Sequence, residues 1–220
     1  TTDLAYATYV ISMWVWLSAA LVVCTLMEKV HGKLNVPLVC HYLIAVSVGQ
    51  CLMALLIDFN PAVKNVVDTY ISQDQELLNE IDRLYGIGAW LDVAGTRFSA
   101  CLIMIAFLMN IHKERLSAKQ IWIYMISYAI IGVIGNMIAR TTSVGIAISL
   151  LYLLVVFKPW DFSILKSSLG IWRHIVIAVL VLIPIVYVLY TTNDQFRQLF
   201  RFAFEALFNF IEKGEWETSS

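Results

Sequence analysis

Residues 121–157 read IWIYMISYAIIGVIGNMIARTTSVGIAISLLYLLVVF, and this stretch decides the fold. It carries one charged side chain, Arg140, between two apolar runs, 121–139 and 142–157. A helix rises ~1.5 Å per residue and the hydrocarbon core of a bilayer is ~30 Å thick, so about 20 apolar residues cross it. The first run has that length and the second is short. Only the turn around Arg140 separates them, so the stretch reads as a tight hairpin of two membrane helices with the arginine at its tip.

Blocks of the same kind occupy 6–27, 36–57, 98–111 and 174–191, and the third extends backward through Leu91, Val93 and Ala94. Across the 220 residues 60% are hydrophobic and 14% are charged, against roughly a quarter charged in soluble domains. That balance excludes a disordered chain, a nucleic-acid-binding domain and an ordinary soluble enzyme. The expected fold is all-α, a polytopic transmembrane helix bundle of about six spans, with amphipathic helices on its outer face. We read 1–220 as a single transmembrane domain, with an outer loop at 58–97 and an outer amphipathic segment at 192–220. The chain begins Thr-Thr-Asp and stops within a polar stretch, which reads as an internal piece of a larger membrane protein. Cys24, Cys40, Cys51 and Cys101 all lie within apolar blocks, where a free cysteine behaves as a small hydrophobe.

Orientation follows from the basic residues of the short loops. Lys29, Lys33, Lys113, Arg115, Lys119, Lys158, Lys166 and Arg173 gather on one side, with only Glu28, Glu114 and Asp161 to oppose them. The other side holds Lys64, Arg83 and Arg97 among Asp58, Asp68, Asp74, Glu76, Glu80, Asp82 and Asp92. The first side is expected to be cytoplasmic. The 58–97 loop, the turn at Arg140 and everything after 191 then lie outside.

Two outer segments show helical periodicity with a polar face. In 61–82 the apolar positions are Val63, Val66, Val67, Tyr70, Ile71, Leu77, Leu78 and Ile81, with Asn60 as N-cap and Pro61 as first helical residue. In 194–212 they are Phe196, Leu199, Phe200, Ala203, Leu207, Phe208 and Ile211. Such helices lie along a leaflet or cap a bundle. Gly132 and Gly135 stand where small residues allow close helix packing. His31, His41, His112 and His174 are isolated and read as structural. No metal-ligand spacing, phosphate-binding glycine loop or nucleophile elbow is present.

The residues that speak to chemistry are the outer arginines. Arg140 is followed by Thr141, Thr142 and Ser143, which open the next helix. A helix start favours an anion, and a guanidinium beside it adds a planar fork matched to phosphate oxygens. The competing reading is an arginine anchored among lipid headgroups. A second constellation runs from Arg83 to Phe98, with Tyr85, three glycines, Trp90, Asp92 and Arg97. Tyr85 and Trp90 are placed to stack on a sugar ring or to sit in the interfacial belt. Asp92 pairs with a flanking arginine or serves as an acceptor. The alternative is a re-entrant loop held by Asp92 and Arg97.

The run 83–98, the segment Ala139-Arg-Thr-Thr-Ser-Val-Gly145 at a hairpin, and the stretch from Phe202-Ala-Phe-Glu-Ala-Leu to Glu-Trp-Glu-Thr-Ser-Ser220 together resemble the O-antigen polymerase and ligase superfamily. The likeness leans toward the polysaccharide polymerases of Bacteroides-type bacteria and covers about 36–220. The resemblance implies a multi-pass glycosyltransferase of the bacterial inner membrane. Its substrate would be an oligosaccharide on undecaprenyl diphosphate, handled at the periplasmic face, with no cofactor, metal or nucleic acid. Partners would be the bilayer and the chain-length regulator and flippase of the same pathway. By this resemblance Arg83 stands for the arginine opening the family's Arg-x-x-Gly loop, and Arg140 for that of its hairpin. The family's Pro-Asn after the first arginine is absent, and Leu91-Asp92 stands in its place. Ligases of the superfamily use an outer histidine; none is external here, so polymerase and ligase both stay open.

The expected roles follow. Arg140 and Arg83 hold the departing diphosphate, with Asp92 as the one candidate base. Arg97, Thr141, Thr142, Tyr85 and Trp90 contact substrate. Two other classes remain beside this one: a transporter of an anionic or lipid-linked solute, and a non-catalytic membrane scaffold.

Overall fold

The computed structural model describes residues 5–70, 84–87, 91–112, 116–158, 160 and 162–214, without the side chains of 5–9, 91, 92, 162–168 and 206. Among these residues every element is a helix: α1 Ala5–His31, α2 Val36–Phe59, α3 Pro61–Tyr70, α4 Leu91–Ile111, α5 Ala118–Ile138, α6 Thr142–Phe157, α7 Phe162–Thr192, α8 Asp194–Ala203 and α9 Glu205–Lys213. Segments of α1, α2, α4, α5 and α7 are long and apolar enough to cross a bilayer. The protein is an all-α, multi-pass membrane helix bundle.

The chain divides into two compact units, 1–41 and 42–220. In the first, α1 is apolar all round, with Met13, Trp14, Val15, Trp16 and Leu17 all exposed. A helix without a polar face belongs in lipid. It ends at Gly32, whose φ of +73° closes the last turn through a bond from its N–H to Glu28 O. Asn35 Oδ1 then accepts the Leu38 N–H and starts α2.

In the second unit α4 is the central helix. Phe98, Leu102, Ile105 and Leu108 of α4 are fully buried, as are Ile131 and Ile138 of α5. The remainder of α2 packs on α4 through Ser47 Oγ, 3.1 Å from Cys101 Sγ. Cys40, Cys51 and Cys101 are buried, Cys24 is partly exposed, and all four are free. α5 begins with a reciprocal capping box between Ser117 and Gln120, which satisfies two otherwise unpaired donors.

α4 and α6 run side by side in the same direction. Ser99 Oγ donates to Thr141 O at one end, and Asn110 Nδ2 donates to the Tyr152 hydroxyl at the other. Glycine makes the contact possible. A Cβ at Gly145 would lie 2.3 Å from Ser99 Cα, and one at Gly95 would lie 1.8 Å from Thr141 Oγ1. α6 has 16 residues, about 24 Å of rise, yet it covers the same depth as α4 from Ser99 to Asn110. The short fifth block, 142–157, is therefore a helix of the bundle, below the length of the other five.

Three expectations change. The sixth apolar block is part of a longer helix, since α7 begins at Phe162 and not near 174. The 194–212 segment is two helices, broken at Phe204 (φ −116°, ψ 27°). The close approach falls at Gly95 and Gly145, and at Gly135 against Phe98, while a Cβ at Gly132 meets nothing nearer than 3.7 Å. The N-cap of α3 is as expected: Asn60 Oδ1 accepts from the Ala62 and Val63 N–H groups. The continuation of that amphipathic segment, 71–82, lies outside the described residues.

Candidate functional site

The site is built at the end of the bundle where α5 turns into α6. α5 closes with the Ala139 N–H donating to Gly135 O, and Arg140 and Thr141 form the turn. The chain reverses within three residues because Thr142, fully buried, donates its hydroxyl back to Gly135 O at 3.1 Å. The first N–H groups of α6 are used in the same tight turn. Thr142 N donates to Ala139 O, Ser143 N to Arg140 O and Val144 N to Thr141 O. The helix start thus spends these donors on its own carbonyls, and what the turn presents outward is the Arg140 side chain.

Arg140 is held by the arm that follows α7. Its Nη2 lies 2.6 Å from Glu205 Oε2, and both side chains are largely covered, at 20% and 25% exposed. The guanidinium carbon sits 3.9 Å from the centre of the Phe202 ring, a cation–π contact on the flat face. A face covered by a ring leaves the edge of the fork for oxygen partners. Glu205 is the first residue of α9 and Asp194 the first of α8, while Arg201 and Lys213 fall in the last turns of those helices. Each charge therefore sits where the helix dipole favours it.

Glu205 and Phe202 also line an open recess of about 290 Å³, completed by Arg201, Phe208 and Asn209. Arg201 is fixed there by Glu212, whose two oxygens accept from its Nη2 at 2.8 and 2.9 Å. Behind the recess stand stacked rings: Phe200 contacts Phe196, Phe204, Phe208 and Tyr190. Gln195 Nε2 donates to Asp58 Oδ2 at 2.7 Å, which ties α8 to the end of α2.

Among the other expected site residues, Thr141 has a buried hydroxyl with no hydrogen-bond partner among the described residues. The same is true of both amide atoms of Asn136, fully buried in α5 one turn before Arg140. Arg97 is exposed on α4, off the face that carries Gly95 and Ser99 against α6. Tyr85 is engaged by α3: its hydroxyl donates to Asp68 Oδ1 at 2.8 Å, and Lys64 Nζ stands 5.8 Å from its ring centre. Burial, and then the Asp68 carboxylate, push its phenol well above the ordinary tyrosine range. Asp92 lies in the first turn of α4, and its side chain, like the whole of Arg83 and Trp90, is outside the described residues.

Sequence reasoning did not reach Glu205 and Phe202 as partners of Arg140. Glu205 stood among the polar positions of 194–212 with nothing to set it apart from Glu212. Among the described residues no three His, Cys, Asp or Glu side chains gather at a spacing that would hold a metal.

Compared with models of protein families, with curated proteins and with solved structures, the chain matches none.

Proposed function

We propose that this protein is a membrane glycosyltransferase of the O-antigen polymerase and ligase type, acting on a lipid-diphosphate-linked glycan at the periplasmic face of the bacterial inner membrane. The observation that supports this most is the setting of Arg140. It is the one charge in the 121–157 hairpin, and Glu205 and Phe202 beside it line a recess with a second arginine, an amide and aromatic rings. Arginine forks suit phosphate oxygens. Aromatic and amide side chains suit a sugar ring, which offers an apolar face and a rim of hydroxyls.

In glycosyl transfer an acceptor hydroxyl attacks the anomeric carbon and the diphosphate leaves with the bonding electrons. A preorganised cation beside that oxygen stabilises the charge as it develops, and such stabilisation is commonly the largest catalytic term. Arg140 has this role in our reading. Arg83 is its proposed companion, and Thr141 offers a hydroxyl beside it. Whether the product is an extended polymer or a ligated glycan depends on the acceptor.

The pairing of Arg140 with Glu205 favours one other reading, a scaffold in which the pair ties the α8–α9 arm to the bundle. Charge reversal separates the two. In the full-length protein, Arg140→Glu combined with Glu205→Arg restores an ion pair at the same place. We expect the double variant to insert normally and to make no polymer. Recovery of wild-type polymer would show that the pair serves only as a tie.

A further inference from the structure

We propose that Glu205 is the base that activates the acceptor hydroxyl, and that it is freed for that work when the donor diphosphate takes its place on Arg140. This rests on the glycosyl-transfer reading above and deepens it, since the sequence offered only Asp92 as a base.

The geometry supplies both halves. Glu205 Oε2 occupies the edge of the Arg140 fork at 2.6 Å, while Phe202 covers the face. A phosphate oxygen approaching the guanidinium meets the same edge, so carboxylate and diphosphate compete for it. The diphosphate is the stronger partner, because it carries more charge. While the guanidinium holds Glu205 Oε2, that oxygen is not available to take the acceptor's proton. Once the guanidinium is turned to phosphate, that restraint is lifted. Glu205 then stands on the wall of the recess that Arg201, Phe202, Phe208 and Asn209 complete, beside the bound donor. The charged groups that meet it or share its recess include Arg140 from the turn and Arg201 of α8, the latter paired with Glu212 of α9. Residues 120–139 and 174–193, which cover nearly all of α5 and the later part of α7, contain no Asp, Glu, Lys or Arg.

The step balances. The acceptor O–H gives its proton to a Glu205 oxygen as the acceptor oxygen bonds to the anomeric carbon. The bond from that carbon to the diphosphate breaks, and its electron pair stays on the diphosphate oxygen facing Arg140. Departure of the diphosphate and loss of the proton to water restore the ion pair. Base and donor site are thereby coupled: the carboxylate is active only while donor is bound, which protects the arm from idle proton transfer.

The test uses the full-length protein in lipid nanodiscs, with a labelled polyprenyl-diphosphate oligosaccharide as donor. Removing the competitor in Glu205→Gln should tighten donor binding roughly tenfold and lower turnover by about 100-fold or more. Arg140→Ala should lose donor binding. A second measurement needs no variant: inorganic diphosphate added to the wild-type protein should speed amide exchange across α9, because its anchor on Arg140 is taken. Wild-type affinity and wild-type turnover in Glu205→Gln would overturn the proposal while leaving the function standing. So would unchanged exchange in α9 when diphosphate does bind. Failure of the donor to bind the wild-type protein, or binding that survives Arg140→Ala, would overturn the functional reading itself.

Discussion

Tyr85, expected from the sequence to stack on a sugar ring or sit in the interfacial belt, is engaged by its neighbours. Its place between Arg83 and Trp90 suggested an aromatic platform, but its hydroxyl donates to Asp68 and its ring lies under Lys64. The neutral phenol is what this setting favours, through burial first and the carboxylate second. A folded pKa above the unfolded one means that the associated stability is fully present below the ordinary tyrosine value near ~10. It is lost as pH rises through the raised value. The phenolate absorbance that disappears in Tyr85→Phe should therefore emerge only well above ~pH 10; ordinary titration would mean that the tie to Asp68 is not formed. Arg140 is the opposite case. Its isolation in an apolar hairpin was legible in the sequence, because a charge at the end of a span has few uses. Its partners were not, because Phe202 and Glu205 arrive more than sixty residues later, by way of α7 and the fold of the arm.

At the level of the helix, apolar length carried most of the information. α1, α2, α4, α5 and α6 fall where uninterrupted apolar runs require them, since a backbone in lipid must satisfy its own polar groups. Caps such as Asn60 and small interior cysteines are local features and could be read directly. The break at Phe204 and the early start of α7 could not. The segment 162–173 is too mixed to read as a span, and 194–212 keeps an unbroken stripe across the break. Of the packing glycines, Gly135, which meets Phe98, was legible in the sequence, while Gly95 and Gly145 were missed. Gly132 and Gly135 are conspicuous by spacing, but the contact that matters joins α4 to α6, and no pattern within one helix reports its partner. This gives a paired prediction. Gly145→Ala forces a Cβ into the Ser99 backbone and should destabilise the folded protein by about 1–3 kcal/mol, seen as a lower melting temperature in detergent. Gly132→Ala meets only ordinary contacts and should be neutral or slightly stabilising, because alanine is the better helix former. Equal effects of the two would show that α4 and α6 do not approach as described.

For the whole molecule the central questions are which way it faces and what it does at its outer end. From the basic loops we propose that the starts of α2, α5 and α7 lie on the cytoplasmic side. The turn at Arg140, with α3 and the α8–α9 arm, then faces outward. Single cysteines at Asn65 and Ala118, both exposed, check this in a background without the four native thiols. An impermeant thiol reagent applied to intact cells should label the cysteine at 65 and spare the one at 118. The reverse pattern would turn the site toward the cytoplasm.

The account depends most on Arg140 as the group that holds a diphosphate, and the most direct measurement is polymer formation by cells whose only copy of the full-length protein carries Arg140→Ala. We predict membrane levels near wild type and no polymer, with partial length restored by Arg140→Lys, which keeps the charge and loses the two-pronged geometry. Polymer of wild-type length from Arg140→Ala would contradict the account and return Arg140 to a tie between the hairpin and the arm.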